Sequence, residues 1–212
     1  MTGVKICGLS TAETLDAALA GGAAYVGFMF FAASPRNIDL ESAARLARAA
    51  RDRAAIVAVT VDPDDALVDR LARILAPDFI QLHGKESPAR VREVAARGKA
   101  GVIKAVSVGG EADVVAAREY ETVADHLMFD AKPDPAAGRP GGAGIRFDAS
   151  VLSGQRFERP WFLAGGLDPW NVEEAKKASG APLLDVSSGV ERGPGLKDPA
   201  LIRAFLDAAR RA

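Results

Sequence analysis

Eight short apolar runs, each followed by a longer segment rich in Ala, Leu and charge, constrain this chain more than any other feature. The runs are VKICGL from Val4, YVGFMF from Tyr25, AIVAVTV from Ala55 and FIQLHG from Phe79. GVIKAV from Gly101, HLMFDA from His126, WFLAGGL from Trp161 and LLDVSSG from Leu183 complete the set. They are rich in β-branched and aromatic residues and mostly do not alternate, the pattern of strands buried on both faces. Between them, apolar residues recur at helical spacing over 11–20, 40–51, 66–75, 88–97, 113–120, 169–178 and 199–209, and a shorter helix is expected after Asp148. Ser87-Pro88, Asp168-Pro169 and Asp198-Pro199 each place a capping residue before a proline suited to a first helical turn. Strict alternation of strand and helix implies parallel strands joined by right-handed crossovers. Eight such units predict a single-domain (β/α)8 TIM barrel over residues 1–212, near the lower length limit of roughly 200 residues for this fold. An open doubly wound sheet is the alternative. It leaves unexplained why chemically suggestive residues follow so many different strands.

Composition narrows the class of function. Apolar residues make up 49% and charged residues 26%, as in ordinary globular proteins. A formal net charge of −1 gives no electrostatic case for nucleic acid or an anionic membrane surface. The start, MTGVKICGL, has no long apolar stretch of the kind a secretion signal carries, and no run is long enough to span a bilayer. The single cysteine, Cys7, has no internal disulfide partner, which fits a reducing cytoplasm. His83 and His126 stand apart, no His/Cys group has metal-ligand spacing, and there is no P-loop or GxGxxG. No metal or other cofactor is expected.

In a (β/α)8 barrel the active site gathers where the strands end. Cys7 closes the first run. A lone cysteine is more often a small buried hydrophobe, but a thiol at a strand tip can serve as a base when positive charge stabilises its thiolate. Lys5, two residues earlier, shares its face of the strand and could supply that charge. Arg36, in Ser34-Pro35-Arg36 beyond the second run, suits bidentate binding of a carboxylate, although most arginines are simply solvated. His83, in QLHG, can equally line the barrel mouth or take part in chemistry. Asp62, before Pro63, reads as a turn or helix cap and is left out of the site. Gly165 and Gly166 follow the seventh run, and Ser187, Ser188 and Gly189 follow the eighth. Loops at these two positions often bind phosphate in this fold, with backbone N–H groups and hydroxyls as donors. Asp185 precedes them, either as a hydrogen-bonded strand residue or as part of the same cavity.

The stretch 126–148 draws most attention. It runs apolar through Leu127-Met128-Phe129 and stops at a carboxylate, Asp130. A loop with Gly138, Pro140, Gly141, Gly142 and Gly144 follows. It reads as a strand delivering an acid to its tip, then a flap over 132–145 that can hinge over it, or else a solvated surface excursion.

KICGL, GFMFFAASPR, DFIQLHG, LMFDA, GGAGIRFD, LAGGLDPWNV and DVSSGVERGPGLKD together resemble the phosphoribosylanthranilate isomerases of tryptophan biosynthesis, in order and through essentially the whole chain. Two departures lie in or beside the flap: GGAG where GGTG is more usual, and Ala149 where Trp is common. The resemblance implies an Amadori rearrangement of N-(5-phosphoribosyl)anthranilate to 1-(2-carboxyphenylamino)-1-deoxyribulose 5-phosphate. It places Cys7 as general base, Asp130 as general acid and Arg36 on the anthranilate carboxylate, with Asp185 and His83 lining the cavity. The glycines and serines after the seventh and eighth strands match the family's phosphate site. The partner is then a small phosphorylated substrate, and the chain a monomer or a homodimer. Rival readings are another sugar-phosphate aldosylamine isomerase, such as that of the histidine pathway, where a carboxylate is expected in place of the Cys7 thiol, or a barrel that binds a phosphorylated ligand without catalysis. An acid, a base and Arg36 retained together speak against the last.

Overall fold

The structure, a computed structural model, describes residues 2–131 and 149–212. Eight parallel strands close into one barrel in the order of the sequence: β1 (Gly3–Cys7), β2 (Tyr25–Phe30), β3 (Ala55–Thr60), β4 (Phe79–Leu82), β5 (Gly101–Val108), β6 (His126–Ala131), β7 (Trp161–Ala164) and β8 (Leu183–Val186). Closure is made by β1 and β8, with Lys5 in register with Asp185. The helices outside are α1 (Ala12–Ala20), α2 (Leu40–Ala50), α3 (Asp65–Arg70), α4 (Pro88–Gly98), α5 (Glu111–Ala116), α6 (Val172–Ser179) and α7 (Pro199–Arg211). The barrel expected from the alternating runs is therefore the one observed.

Strand side chains divide two ways because successive residues point to opposite faces. One set packs outward against the helices in a large core that includes Ile6, Phe28, Phe129 and Phe205. The other fills the barrel interior with Cys7, Val57, Val59, Ile103, Ala105, Met128, Phe162 and Ala164. At the N-terminal ends of the strands, Tyr25, Phe79, His126 and Phe162 stack edge to face or tilted, with ring centroids 5.0–6.2 Å apart. His126 thus belongs to the closed floor of the barrel, at the opposite end from the candidate site.

Several boundaries differ from the sequence expectation. Helix α6 begins at Val172 rather than at Pro169, because the Asp168 carboxylate accepts from the Trp170 and Asn171 amides and holds 168–171 as a turn. The segment expected to be one helix over 113–120 is α5 followed by a 3-10 turn, Ala117–Tyr120. After Asp148 there is a single 3-10 turn, Ala149–Leu152. A hairpin absent from the sequence reading, β9 (Glu191–Gly193) with β10 (Leu196–Lys197), follows β8. The expected flap over 132–145 lies outside the described residues. Among the described residues, no helix is long and apolar enough to cross a membrane.

Candidate active site

Cys7 is the last residue of β1, and its side chain points into the barrel with that of Lys5. Gly27 on β2 makes the room: a Cβ there would come within 3.2 Å of the Lys5 side chain and 3.3 Å of the Cys7 sulfur. Lys5 is fully buried and donates to Asp185 Oδ1 at 2.7 Å. Burial works against its charge, but the Asp185 carboxylate, with Cys7 adding to it, holds the ammonium above the ordinary lysine range. Lys5 therefore sits beside the thiol as expected. It favours the thiolate as expected, but the net direction at the thiol differs from the expectation. Burial pushes the Cys7 thiol up, with the Asp185 carboxylate adding to it, Lys5 and Lys197 pull it down, and the upward push wins.

Across the barrel, Asp130 stands near the end of β6 and His83 directly follows β4. Nε2 of His83 and Oδ2 of Asp130 are 3.0 Å apart. Gln81, two residues before His83 on the same strand face, donates from Nε2 to His83 Nδ1 at 3.2 Å. Nδ1 is then the accepting nitrogen, so Nε2 carries the proton and donates it towards Asp130. Strand β4 thus aims a hydrogen-bond chain, Gln81 to His83 to Asp130, at the tip of β6. Gln81 has no signal of its own in the sequence beyond standing two residues from His83.

Arg36 lies in the loop between β2 and α2, its aliphatic stem passing over Gly8, where a Cβ would come within 2.8 Å of the Arg36 Cδ. This puts the Arg36 stem against the residue that follows Cys7. It donates from Nε and Nη2 to the two carboxylate oxygens of Glu191, both at 2.7 Å. Lys197, opposite Glu191 across the β9–β10 hairpin, donates to Glu191 Oε1 at 2.6 Å and to the Ser187 carbonyl at 2.9 Å. Burial would raise the Glu191 carboxyl, but Arg36 and Lys197 together hold it below the usual range. Sequence reasoning missed Glu191 and Lys197. The available signal was opposite charges flanking Gly193-Pro194-Gly195, a hairpin turn with a cross-strand ion pair.

The glycines and serines after β7 and β8 are brought together. Gly165 and Gly166 both adopt positive φ, 88° and 65°. Gly189 packs so closely on the neighbouring loop that a Cβ would lie 1.9 Å from the Leu167 carbonyl oxygen. Ser188–Val190 forms one 3-10 turn, and Ser188 and Gly166 are exposed at the rim. Ser187 turns inward, donating to the Cys7 carbonyl at 3.3 Å and accepting from Lys197 at 3.1 Å. All eleven residues expected from the sequence therefore stand on or beside the C-terminal half of the barrel, with β1 and β8 at its seam.

Residues 4–208 match the family described as N-(5'-phosphoribosyl)anthranilate (PRA) isomerase. The chain belongs to the phosphoribosylanthranilate isomerase family. A relative of the same name from Caulobacter sp. (strain K31) is 64% identical over 212 residues, covering 100% of both chains. A phosphoribosylanthranilate isomerase crystallised with reduced 1-(o-carboxyphenylamino)-1-deoxyribulose 5-phosphate is 32% identical, with a TM-score of 0.86 and full coverage of both chains. Monomers generated from the dimeric phosphoribosylanthranilate isomerase of Thermotoga maritima are 33% identical, with a TM-score of 0.85 and the same coverage. As a phosphoribosylanthranilate isomerase, the chain is an aldose–ketose isomerase of tryptophan biosynthesis. Its reaction is the Amadori rearrangement of N-(5-phosphoribosyl)anthranilate.

Proposed function

We propose that the chain carries out this rearrangement by general acid–base catalysis, with Asp130 as the acid and Cys7 as the base. What supports the assignment is the placement of a carboxyl and a thiol at the tips of β6 and β1, which are not neighbours in the closed barrel, so that they face a substrate from two sides. Asp130 gives a proton to the ring oxygen. The C1–O bond breaks, and the nitrogen lone pair forms the protonated Schiff base. The Cys7 thiolate then removes the C2 proton, and the resulting enolamine becomes the ketone. Each such group contributes on the order of 10²–10⁴-fold. His83 holds the Asp130 carboxyl in place. Lys5 and Asp185 form the wall beneath Cys7, and Lys5 opposes the burial that raises the thiol.

Arg36 receives the anthranilate carboxylate. The phosphate binds at Gly165, Gly166, Ser187, Ser188 and Gly189, where Ser187 also ties the loop after β8 to Cys7. The chemistry requires no cofactor. The chain acts as one barrel domain, monomeric or homodimeric, on a small phosphorylated substrate in the cytoplasm.

Replacing Cys7 by Ser or Asp130 by Asn separates binding from chemistry. Turnover is expected to fall about 10²–10⁴-fold in each variant. Binding of the reduced product analogue should change little. Near-normal turnover in Cys7→Ser, or wild-type kcat in Asp130→Asn, would remove that residue from its role. A ligand-bound structure with the phosphate on Arg36 would overturn the assignment of the two ends.

A further inference from the structure

Glu191 is a buried carboxylate at the rim of the site that the proposed chemistry leaves without a task. Its side chain is only 4% exposed, and it is engaged on every side. Arg36 grips it through two parallel N–H···O bonds, Lys197 through one, and the Gly195 amide donates to it at 3.2 Å. The hairpin that carries it is locked against the Arg36 loop. A Cβ on Gly195 would lie 2.4 Å from the Pro35 carbonyl oxygen, so the two backbones touch one residue before Arg36. A surface ion pair is rarely held this way. Glu191 is fixed to its own hairpin, its hairpin is fixed to the arginine's loop, and the arginine is fixed to Glu191.

The geometry of the guanidinium gives this a consequence. Arginine has five N–H donors in one plane. Glu191 takes the edge formed by Nε and Nη2. Among the described residues, the end formed by Nη1 and the second Nη2 hydrogen stays available for another bidentate carboxylate. Formal charge is arranged to match. Arg36 and Lys197 carry two positive charges against one negative on Glu191, which leaves one positive charge that an incoming carboxylate would balance.

We propose that Glu191, braced by Lys197 and the β9–β10 hairpin, is a positioning residue that sets the Arg36 guanidinium for end-on binding of the substrate's aromatic carboxylate. The site thereby selects a carboxyl-bearing arylamine over a neutral one. The proposal rests on the reading of Arg36 as the carboxylate-binding group. Two opposite outcomes are physically open. If Glu191 merely competes for Arg36, its neutralisation frees the guanidinium and carboxylate ligands bind more tightly. If it positions Arg36, neutralisation lets a long side chain swing and they bind more weakly.

The test compares two ligands by titration calorimetry: the reduced product analogue with its o-carboxyphenylamino group, and its phenylamino counterpart lacking the carboxyl. In wild type, the carboxylate ligand should bind more tightly, and Arg36→Met should abolish the difference. In Glu191→Gln, the carboxylate ligand should weaken about ten- to a hundredfold, a loss of the size that misplacing a binding group produces, while the phenylamino ligand stays within about twofold. Glu191→Asp, which keeps the charge but withdraws the carboxylate, should act in the same direction and serves if the Gln variant does not fold. Tighter or unchanged binding of the carboxylate ligand, or equal weakening of both ligands, would overturn the proposal. Discrimination that survives in Arg36→Met would instead overturn the Arg36 reading beneath it, and the proposal with it.

Discussion

At Cys7 two physical effects of opposite sign meet. Burial among Val57, Ile103 and Met128, with the Asp185 carboxylate, disfavours a thiolate, and the Lys5 and Lys197 ammonium groups favour it. Burial prevails, so the thiol of the free protein titrates above its ordinary value. Because kcat/KM reports the free enzyme, the limb that follows deprotonation of the base is displaced to alkaline pH. The rate should still be climbing past about pH 8.5, where an ordinary thiol is half ionised. Lys197→Met removes one of the two groups that pull the thiol down, so its ascending limb should move further up. A kcat/KM profile already level by neutrality in wild type would mean that another group is the base. The alternation of a strand made it legible that Lys5 faces the same side as Cys7. The net direction at the sulfur was not legible. It is a sum over neighbours from β1, β3, β5, β6, β8 and the β9–β10 hairpin, which only the closed barrel assembles.

The loops after β7 and β8 work as one element because Gly189 lies against the Leu167 carbonyl. Gly189→Ala would drive a Cβ to within 1.9 Å of that oxygen, so the loops must separate. If they form the phosphate end, KM should rise about tenfold or more with a smaller change in kcat, because binding common to ground and transition states is lost. A variant with unchanged KM would place the phosphate elsewhere. These loops were legible because glycine and serine follow apolar runs whose length and β-branching already marked them as strands. The hairpin between β8 and α7 was not, since three- and two-residue strands of mostly polar composition give no periodicity to read. Its pairing depends on docking against Pro35, an event remote in sequence. Glu191 and Lys197 went unseen for that reason. The start of α6 moved for a local one: Asp168, which looks like a cap before a proline, spends its carboxylate on a turn.

At the scale of the whole molecule, two buried carboxylates, Glu191 and Glu86, help hold the mouth of the barrel, and they make its stability depend on pH. Glu191 joins the hairpin to the loop after β2. Glu86 accepts from the Asp62 and Gly84 amides and pairs with Lys104 of β5 at 2.7 Å, joining the loops after β3 and β4 to the neighbouring strand. Burial alone would raise the Glu86 carboxyl, but Lys104 and the backbone donors hold it below the usual range, as Arg36 and Lys197 do for Glu191. A carboxyl depressed on folding contributes stability above its unfolded value near about 4.3, and loses it as pH falls through the lower folded value. Wild type should therefore unfold at lower urea at pH 3.5 than at pH 7. Lys104→Met leaves Glu86 buried without its cation, which is expected to cost about 3–5 kcal/mol at pH 7. With the cation gone, only the amide donors oppose burial, so the Glu86 carboxyl rises and the variant loses less on acidification than wild type does. Urea unfolding of the two proteins at both pH values decides this: the gap between variant and wild type should narrow on acidification. A gap that stays constant with pH would mean that Lys104 stabilises the loops through its bonds to the Leu82 and Gly84 carbonyls rather than through the charge of Glu86.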